Sequence, residues 1–267
     1  MMYGLWRALA RVRFTVGYAA ALISISTTLV ILGPRVRAQV VQQASTNLHN
    51  LAHGNLESLL GSALIADTGP IYAWLPGLIC LLALAELLWR SSRLILAFLV
   101  GHVGTTLVVA AGLAVAVEAG WLPFSITRAS DVGMSYGALG VLGALTAAIP
   151  GRWRPAWIGW WVPVGLAGAV IGADFTGAGH AIALVLGMLL GSLLGPPARW
   201  TPARYVLLAV SMVFGFMVLA HSGWSVLTGV SLGVLGLLLA DRLSRSRGAR
   251  ALAAPTASAV AQPASIG

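Results

Sequence analysis

DVGMSYG at residues 131–137 and HAIALVLGMLLG at residues 180–191 are the two stretches that decide the fold. Each stretch brings one polar side chain to the start of an apolar run, Ser135 in the first and His180 in the second. A hydroxyl and an imidazole are the minimum pair for nucleophilic catalysis. Since polar groups inside a bilayer are costly, the two stretches predict a functional site wherever their helices meet.

The composition predicts an all-α polytopic membrane protein. The chain has 267 residues, of which 58% are hydrophobic and only 9% charged, whereas soluble domains carry about 25% charged residues. Its sixteen cationic residues are all arginines, and the net charge is +9. The arginines cluster in short loops between apolar runs, which is typical of membrane topology and argues against a nucleic-acid partner. The single cysteine excludes a disulfide within the chain.

Eight apolar runs have about the 20 residues that a transmembrane helix needs. They cover residues 14–33, 71–89, 94–117, 132–149, 156–173, 179–195, 205–220 and 224–240. Arginines precede the first run and follow each even-numbered run, which predicts that both chain ends are cytoplasmic. We therefore expect an integral protein of a bacterial plasma membrane, with residues 1–13 as a cytoplasmic N-terminus.

Two segments are expected to lie outside the runs. Residues 34–70 form the longest external loop, and leucines spaced along 44–66 predict an amphipathic helix that lies on the interface or dips into it, capped within Ser45–Asn47. Residues 242–267 are expected to form a cytoplasmic, disordered tail, because their end is rich in Ala, Ser and Pro.

The first run has a second interpretation. It could be a signal peptide that is cleaved after Val36-Arg37-Ala38 instead of a first transmembrane span.

The fourth and sixth runs are expected to pack closely, because small residues recur along both. They are Gly133, Gly137, Gly140 and Gly143 on the fourth run, and Ala183, Gly187 and Gly191 on the sixth. Ser135 and His180 both fall near the outer end of their runs, so they share one depth. In contact, His180 would take the proton of Ser135 during attack on a carbonyl, with amides at the helix start stabilising the oxyanion. The alternative is that the glycines serve packing alone, that Ser135 hydrogen-bonds to its own helix and that His180 has a structural role.

These residues resemble the rhomboid superfamily of intramembrane serine proteases. That family has a GxSG serine on the fourth core span and a histidine on the sixth, in a pattern close to HxxAxxxGxxxG. The matching residues here are Gly133, Ser135, His180, Ala183, Gly187 and Gly191. Glu86, at the inner end of the second run, and the histidines at 49 and 53 are weaker matches. The resemblance implies a rhomboid-like six-helix core over residues 14–196, with two additional transmembrane helices in 197–241.

Three departures from the family pattern concern the site itself. Tyr136 follows the serine, where a small residue is usual, and is expected to crowd the substrate carbonyl. Leu139 replaces a tyrosine that often supports the histidine. Ser58 and Ser62 stand where a histidine and an asparagine would complete the oxyanion hole.

The resemblance implies a protease that cleaves single-span membrane proteins near the outer face through Ser135 and His180. Its partners would be membrane-embedded protein substrates or clients and the lipid bilayer. The departures leave a second interpretation, an inactive pseudoprotease that binds membrane helices. A small transporter is disfavoured, because the sequence has no inverted repeat. No cofactor and no metal are expected, since the His49 and His53 pair has no clear third ligand.

Overall fold

The computed structural model describes residues 9–65, 71–220 and 222–253, and these residues form helices joined by loops, with no strand among them. The helices are α1 (Arg13–Leu32), α2 (Pro34–Ala44), α3 (Leu48–Ala52), α4 (Ser58–Gly61), α5 (Ile71–Trp89), α6 (Ser91–Leu99), α7 (Thr105–Glu118), α8 (Ser135–Ala144), α9 (Arg154–Gly172), α10 (Phe175–Gly191), α11 (Pro202–Leu219) and α12 (Gly223–Ala253). A π-helical turn over Val100–Gly104 joins α6 and α7 into one helix.

The eight predicted runs are all helical, and six of the helices in the described ranges are long and apolar enough to cross a membrane. The two shorter apolar helices are α8, which a 3-10 turn extends to Ala147, and α10. The prediction of an all-α polytopic membrane protein is therefore confirmed. The short helices are the two that carry Ser135 and His180.

Helix α8 is the centre of the bundle. Every residue from Tyr136 to Ala144 is buried, and α5, α6, α10 and α11 surround it. A helix of 10 residues that exposes so little surface needs small side chains wherever a neighbouring backbone comes close.

Glycines allow α8 and α10 to touch through their backbones. A Cβ atom at Gly187 of α10 would overlap the carbonyl oxygen of Gly140, and one at Gly143 of α8 would overlap that of Leu184. Ala183 is fully buried, and Gly191 faces the Ala144 carbonyl oxygen, with the position of its missing Cβ 3.0 Å away. The predicted small-residue contact is thus present along α10.

Two glycines of the predicted contact turn their missing Cβ atoms toward a different helix. The position of a Cβ at Gly140 lies 2.5 Å from the Cα atom of Gly101 in the π-helical turn, while the Gly140 carbonyl oxygen faces α10. The position of a Cβ at Gly137 lies 2.5 Å from the ring of Phe98, so this glycine receives a side chain of α6 instead of α10. Successive glycines three residues apart turn by about 300° around a helix, so they cannot all face one neighbour.

The external loop differs from the predicted single amphipathic helix. Pro34 starts α2, a position where proline fits the first helical turn, and Gly54, with φ of +82°, separates the short helices α3 and α4. Asn47 caps α3 by accepting a hydrogen bond from the Asn50 amide at 2.9 Å, within the predicted capping segment. Ala63 and Ile65 are buried while Leu56 and Leu60 are exposed, so the segment dips into the bundle at its end. Residues 66–70 of this loop lie outside the described residues.

Glu86 fastens the first helix to the core. Its carboxylate is 2% exposed and accepts the backbone amides of Phe14 and Thr15, both at 2.9 Å. The hydroxyls of Thr15 and Ser91 donate to the same carboxylate at 2.7 and 2.6 Å. Glu86 therefore satisfies amides at the start of α1, which have no acceptor inside their own helix.

The last two helices extend the core on two sides. Helix α11 packs on α5, and α12 packs along α9, where a Cβ at Gly236 would overlap the Gly159 carbonyl oxygen. The predicted disordered tail is wrong over residues 242–253, because α12 continues to Ala253. Alanine, leucine and arginine favour helix, and Arg245 pairs with Asp241 one turn earlier at 2.7 Å. Residues 254–267 lie outside the described residues.

Replacing Gly187 with alanine is expected to lower the free energy of unfolding by about 1–3 kcal/mol, because the added methyl must push α10 away from α8. Gly112→Ala in α7 is the matched control, since nothing lies within 4 Å of its missing Cβ. That control should be neutral or slightly stabilising. Thermal unfolding in detergent measures both, and equal stability of the two variants would contradict the close contact.

Replacing Glu86 with alanine is expected to cost about 3 kcal/mol or more, since it leaves buried amides and hydroxyls without their charged acceptor. Glu57, which is exposed, provides the control variant Glu57→Ala. The same unfolding measurement applies, and a loss no larger than that of the control would show that Glu86 does not hold α1.

Candidate active site

Ser135 and His180 meet in a cavity at the end of the bundle where α8 and α10 begin. The Nε2 atom of His180 lies 2.9 Å from the Oγ atom of Ser135, a hydrogen-bonding distance. His180 is 8% exposed, and Ser135 is half-buried. The cavity has a volume of about 520 Å³, within the range of ligand-binding sites.

The starts of both helices are held by hydrogen bonds. Asp174 caps α10, because its Oδ1 atom accepts the Gly177 amide at 2.6 Å. Ahead of α8, Gly133 adopts φ of +133°, and its amide donates to the carbonyl oxygen of Ser62 at 2.9 Å. This conformation suits glycine and turns the chain so that Ser135 is the first residue of α8.

Tyr136 packs against the histidine. Its ring is 3% exposed, and its centroid lies 5.5 Å from that of His180 with the planes at 78°, an edge-to-face contact. A Cβ at Gly179 would overlap the Tyr136 hydroxyl, so the glycine before His180 makes room for this ring. Tyr136 also lines the cavity, and its expected crowding of a substrate carbonyl stays a prediction. The sequence analysis missed this contact. The feature that could have indicated it is the combination of Tyr136 after the serine with Gly179 before the histidine.

Asp131 joins the external loop to the entrance of α8. Its backbone amide donates to the Ser45 hydroxyl at 2.8 Å, and its carbonyl oxygen accepts the Thr46 amide at 3.0 Å. It does not cap α8, whose N-cap residue is Met134. Burial raises the pKa of the Asp131 carboxyl to about 6, while the nearby hydroxyls of Thr46 and Tyr136 act in the opposite direction.

Ser58 and Ser62 are not brought to the Ser135–His180 pair. The hydroxyl of Ser58 donates to the Asn55 carbonyl oxygen at 2.6 Å, and that of Ser62 lies 3.0 Å from His102 Nε2. Neither serine lines the cavity. His102 sits in the π-helical turn, and its ring thus ties the third long helix to the loop segment that supports Gly133.

A metal centre has no support in the described part of the chain. The rings of His49 and His53 lie 4.2 Å apart, but no group of three or more His, Cys, Asp or Glu side chains suited to a metal ion occurs among the residues described.

The fold and the site define a helical membrane protein with a hydroxyl–imidazole pair inside the bundle. The family model described as "Rhomboid-like protein" matches residues 11–195, and the chain belongs to this family. Searches among curated proteins and among solved structures found no match. The rhomboid-like resemblance of the sequence is therefore confirmed, and α11 and α12 lie beyond the matched residues.

The stability of the protein should fall as the pH rises from about 4 to about 6, through the titration of Asp131. Because its folded-state pKa is above the usual value of 3.8, the folded protein binds more protons than the unfolded chain in this window. The loss is on the order of 3 kcal/mol at pH 7, and Asp131→Asn should remove it.

Thermal unfolding at pH 5 and pH 7.5 measures this dependence. Glu118→Gln, at an exposed carboxylate closing α7, is the matched control and should keep the pH dependence of the unchanged protein. An unaltered pH dependence in Asp131→Asn would rule out Asp131 as its source.

Proposed function

We propose that the protein is an intramembrane serine protease in which Ser135 is the nucleophile and His180 the general base and acid. The observation that carries this proposal is the 2.9 Å separation between Ser135 Oγ and His180 Nε2 inside a cavity. A serine hydroxyl is a weak nucleophile until a base accepts its proton, and this separation suits that transfer.

In the proposed reaction, Ser135 Oγ attacks a peptide carbonyl and its proton passes to His180 Nε2. The imidazolium then protonates the leaving amine, which gives an acyl-enzyme. Water attacks the ester carbonyl, His180 takes a proton from this water, and return of that proton to Oγ releases the acid. The Ser135 and Tyr136 amides at the start of α8 are suited to the oxyanion, because the first amides of a helix have no acceptor within it.

The substrates proposed are single-span membrane proteins cut near the outer face of the membrane. The apolar helices around the cavity make a membrane-embedded substrate more suitable than a soluble one. The arginines of the loops favour placing the cavity at the outer face and both chain ends in the cytoplasm.

A pseudoprotease that binds membrane helices is the second candidate. It is favoured by one observation, which is that Ser58 and Ser62 use their hydroxyls elsewhere and supply no oxyanion donor. Loss of one such donor can cost about 10²–10³ in rate, so the two candidates differ in a measurable activity.

Labelling by a fluorophosphonate probe in native membranes tests the proposed function. Ser135 Oγ would attack phosphorus, fluoride would leave, and His180 would receive the proton. Ser135→Ala should abolish labelling, and His180→Ala should reduce it by about 10³-fold or more. Ser130→Ala removes another serine that lines the same cavity and should label like the unchanged protein. Absence of labelling in folded, unchanged protein would favour the pseudoprotease.

Tyr136 should act as a positioning residue for His180. Tyr136→Ala is expected to slow probe labelling by about tenfold and to change its pH profile, because the edge-to-face contact holds the imidazole. Tyr136→Phe keeps the ring and should restore both. Tyr205→Ala, which removes an exposed tyrosine stacked on Trp200, is the control for general loss of aromatic packing. Equal rates in the alanine and phenylalanine variants would exclude this role.

A further inference from the structure

The cavity at the Ser135–His180 pair has one wall that belongs to a helix outside the matched family region. Phe214, Met217 and Val218 of α11 line the cavity together with Ile71 and Trp74 of α5. The family model ends at residue 195, and α11 begins at Pro202. Helix α11, the seventh of the eight apolar runs, therefore lies beyond the matched region and reaches the site.

Helix α11 is fixed against α5 at the level of the cavity. The position of a Cβ at Gly77 lies 2.5 Å from Phe214 Cβ, so this glycine admits the phenylalanine. The rings of Trp74 and Phe214 lie 6.4 Å apart with their planes at 69°, and Phe214 is 5% exposed. The wall is thus a packed surface and not a loose helix.

The two sides of the cavity differ in chemistry. The side formed by α8, α10 and the residues before them carries the polar groups, among them Ser135, Asp131 and His180. The α5–α11 side is apolar throughout the residues named above. A peptide held with its carbonyl at Ser135 would direct a neighbouring side chain to an apolar surface, where burial favours a bulky apolar group.

We propose that α11 completes an apolar subsite opposite Ser135 and His180, which takes one bulky apolar side chain of a membrane-embedded peptide. Met217 and Val218 set the size of that side chain, and Phe214 anchors the wall to α5. A preference for cleaving next to a bulky apolar side chain follows from this subsite and rests on the proposed function. The binding of an apolar group in the subsite does not rest on it.

Two fluorophosphonates, one with methyl and one with benzyl on phosphorus, test the size preference. Val218→Phe should lower the ratio of benzyl to methyl labelling rates by about tenfold, and Val218→Ala should raise it. Val213→Phe and Val213→Ala are matched controls on the same helix, since Val213 is 61% exposed and does not line the cavity. Ratios within about twofold of the unchanged protein in both Val218 variants would overturn the proposal.

If neither fluorophosphonate reacts, that result counts against the protease and not against the subsite. A second measurement then tests the subsite without any reaction at Ser135. A diazirine derivative of N-benzylacetamide is irradiated with Ser135→Ala protein, and the modified residues are mapped by mass spectrometry. Insertion is expected in α11 between residues 214 and 218, reduced about tenfold by Val218→Phe and unchanged by Val213→Phe. The subsite would be overturned if insertion stayed the same both in excess unlabelled N-benzylacetamide and in the Val218→Phe variant.

Discussion

The backbone contact between α8 and α10 at Gly140 and Gly187 is the constraint on which the site depends. No side chain separates the two helices there, so their axes come closer than ordinary side chains allow. Ser135 lies at the start of α8 and His180 within the second turn of α10, and the contact below them brings their polar atoms to 2.9 Å. A larger residue at the contact would widen the gap between nucleophile and base, and a shift of about 1 Å is enough to impair such a pair.

The polar groups around this contact are mostly used to build the bundle. Glu86 holds α1, Asp174 caps α10, and His102 holds the loop that supports Gly133. The Glu86 and Asp174 carboxylates and the Nε2 atom of His102 each have a named hydrogen-bond partner, as the low-dielectric surroundings favour. The Ser135–His180 pair is the hydroxyl–imidazole pair that lines the cavity, whereas Ser62 and His102 do not line it.

Much of the fold could be predicted from the sequence, because the positions of apolar runs depend on local composition. The eight runs, the shared depth of Ser135 and His180, and the small residues of α10 all follow from hydropathy and spacing. The continuation of α12 to Ala253 was missed, because a composition rich in alanine is compatible with both disorder and helix. The breaks in the external loop were missed because a leucine pattern does not reveal where Gly54 ends a helix.

By itself, the sequence determined a polytopic helical membrane protein that carries a serine and a histidine at one depth. Only the tertiary structure decided which neighbours these residues have. It assigned the Ser58 and Ser62 hydroxyls to other partners, placed the Tyr136 ring on His180, and made α11 a wall of the cavity. The physical reason is that hydropathy and helical period depend on residues close in the chain, whereas a side chain's neighbours depend on how helices distant in sequence rotate and pack.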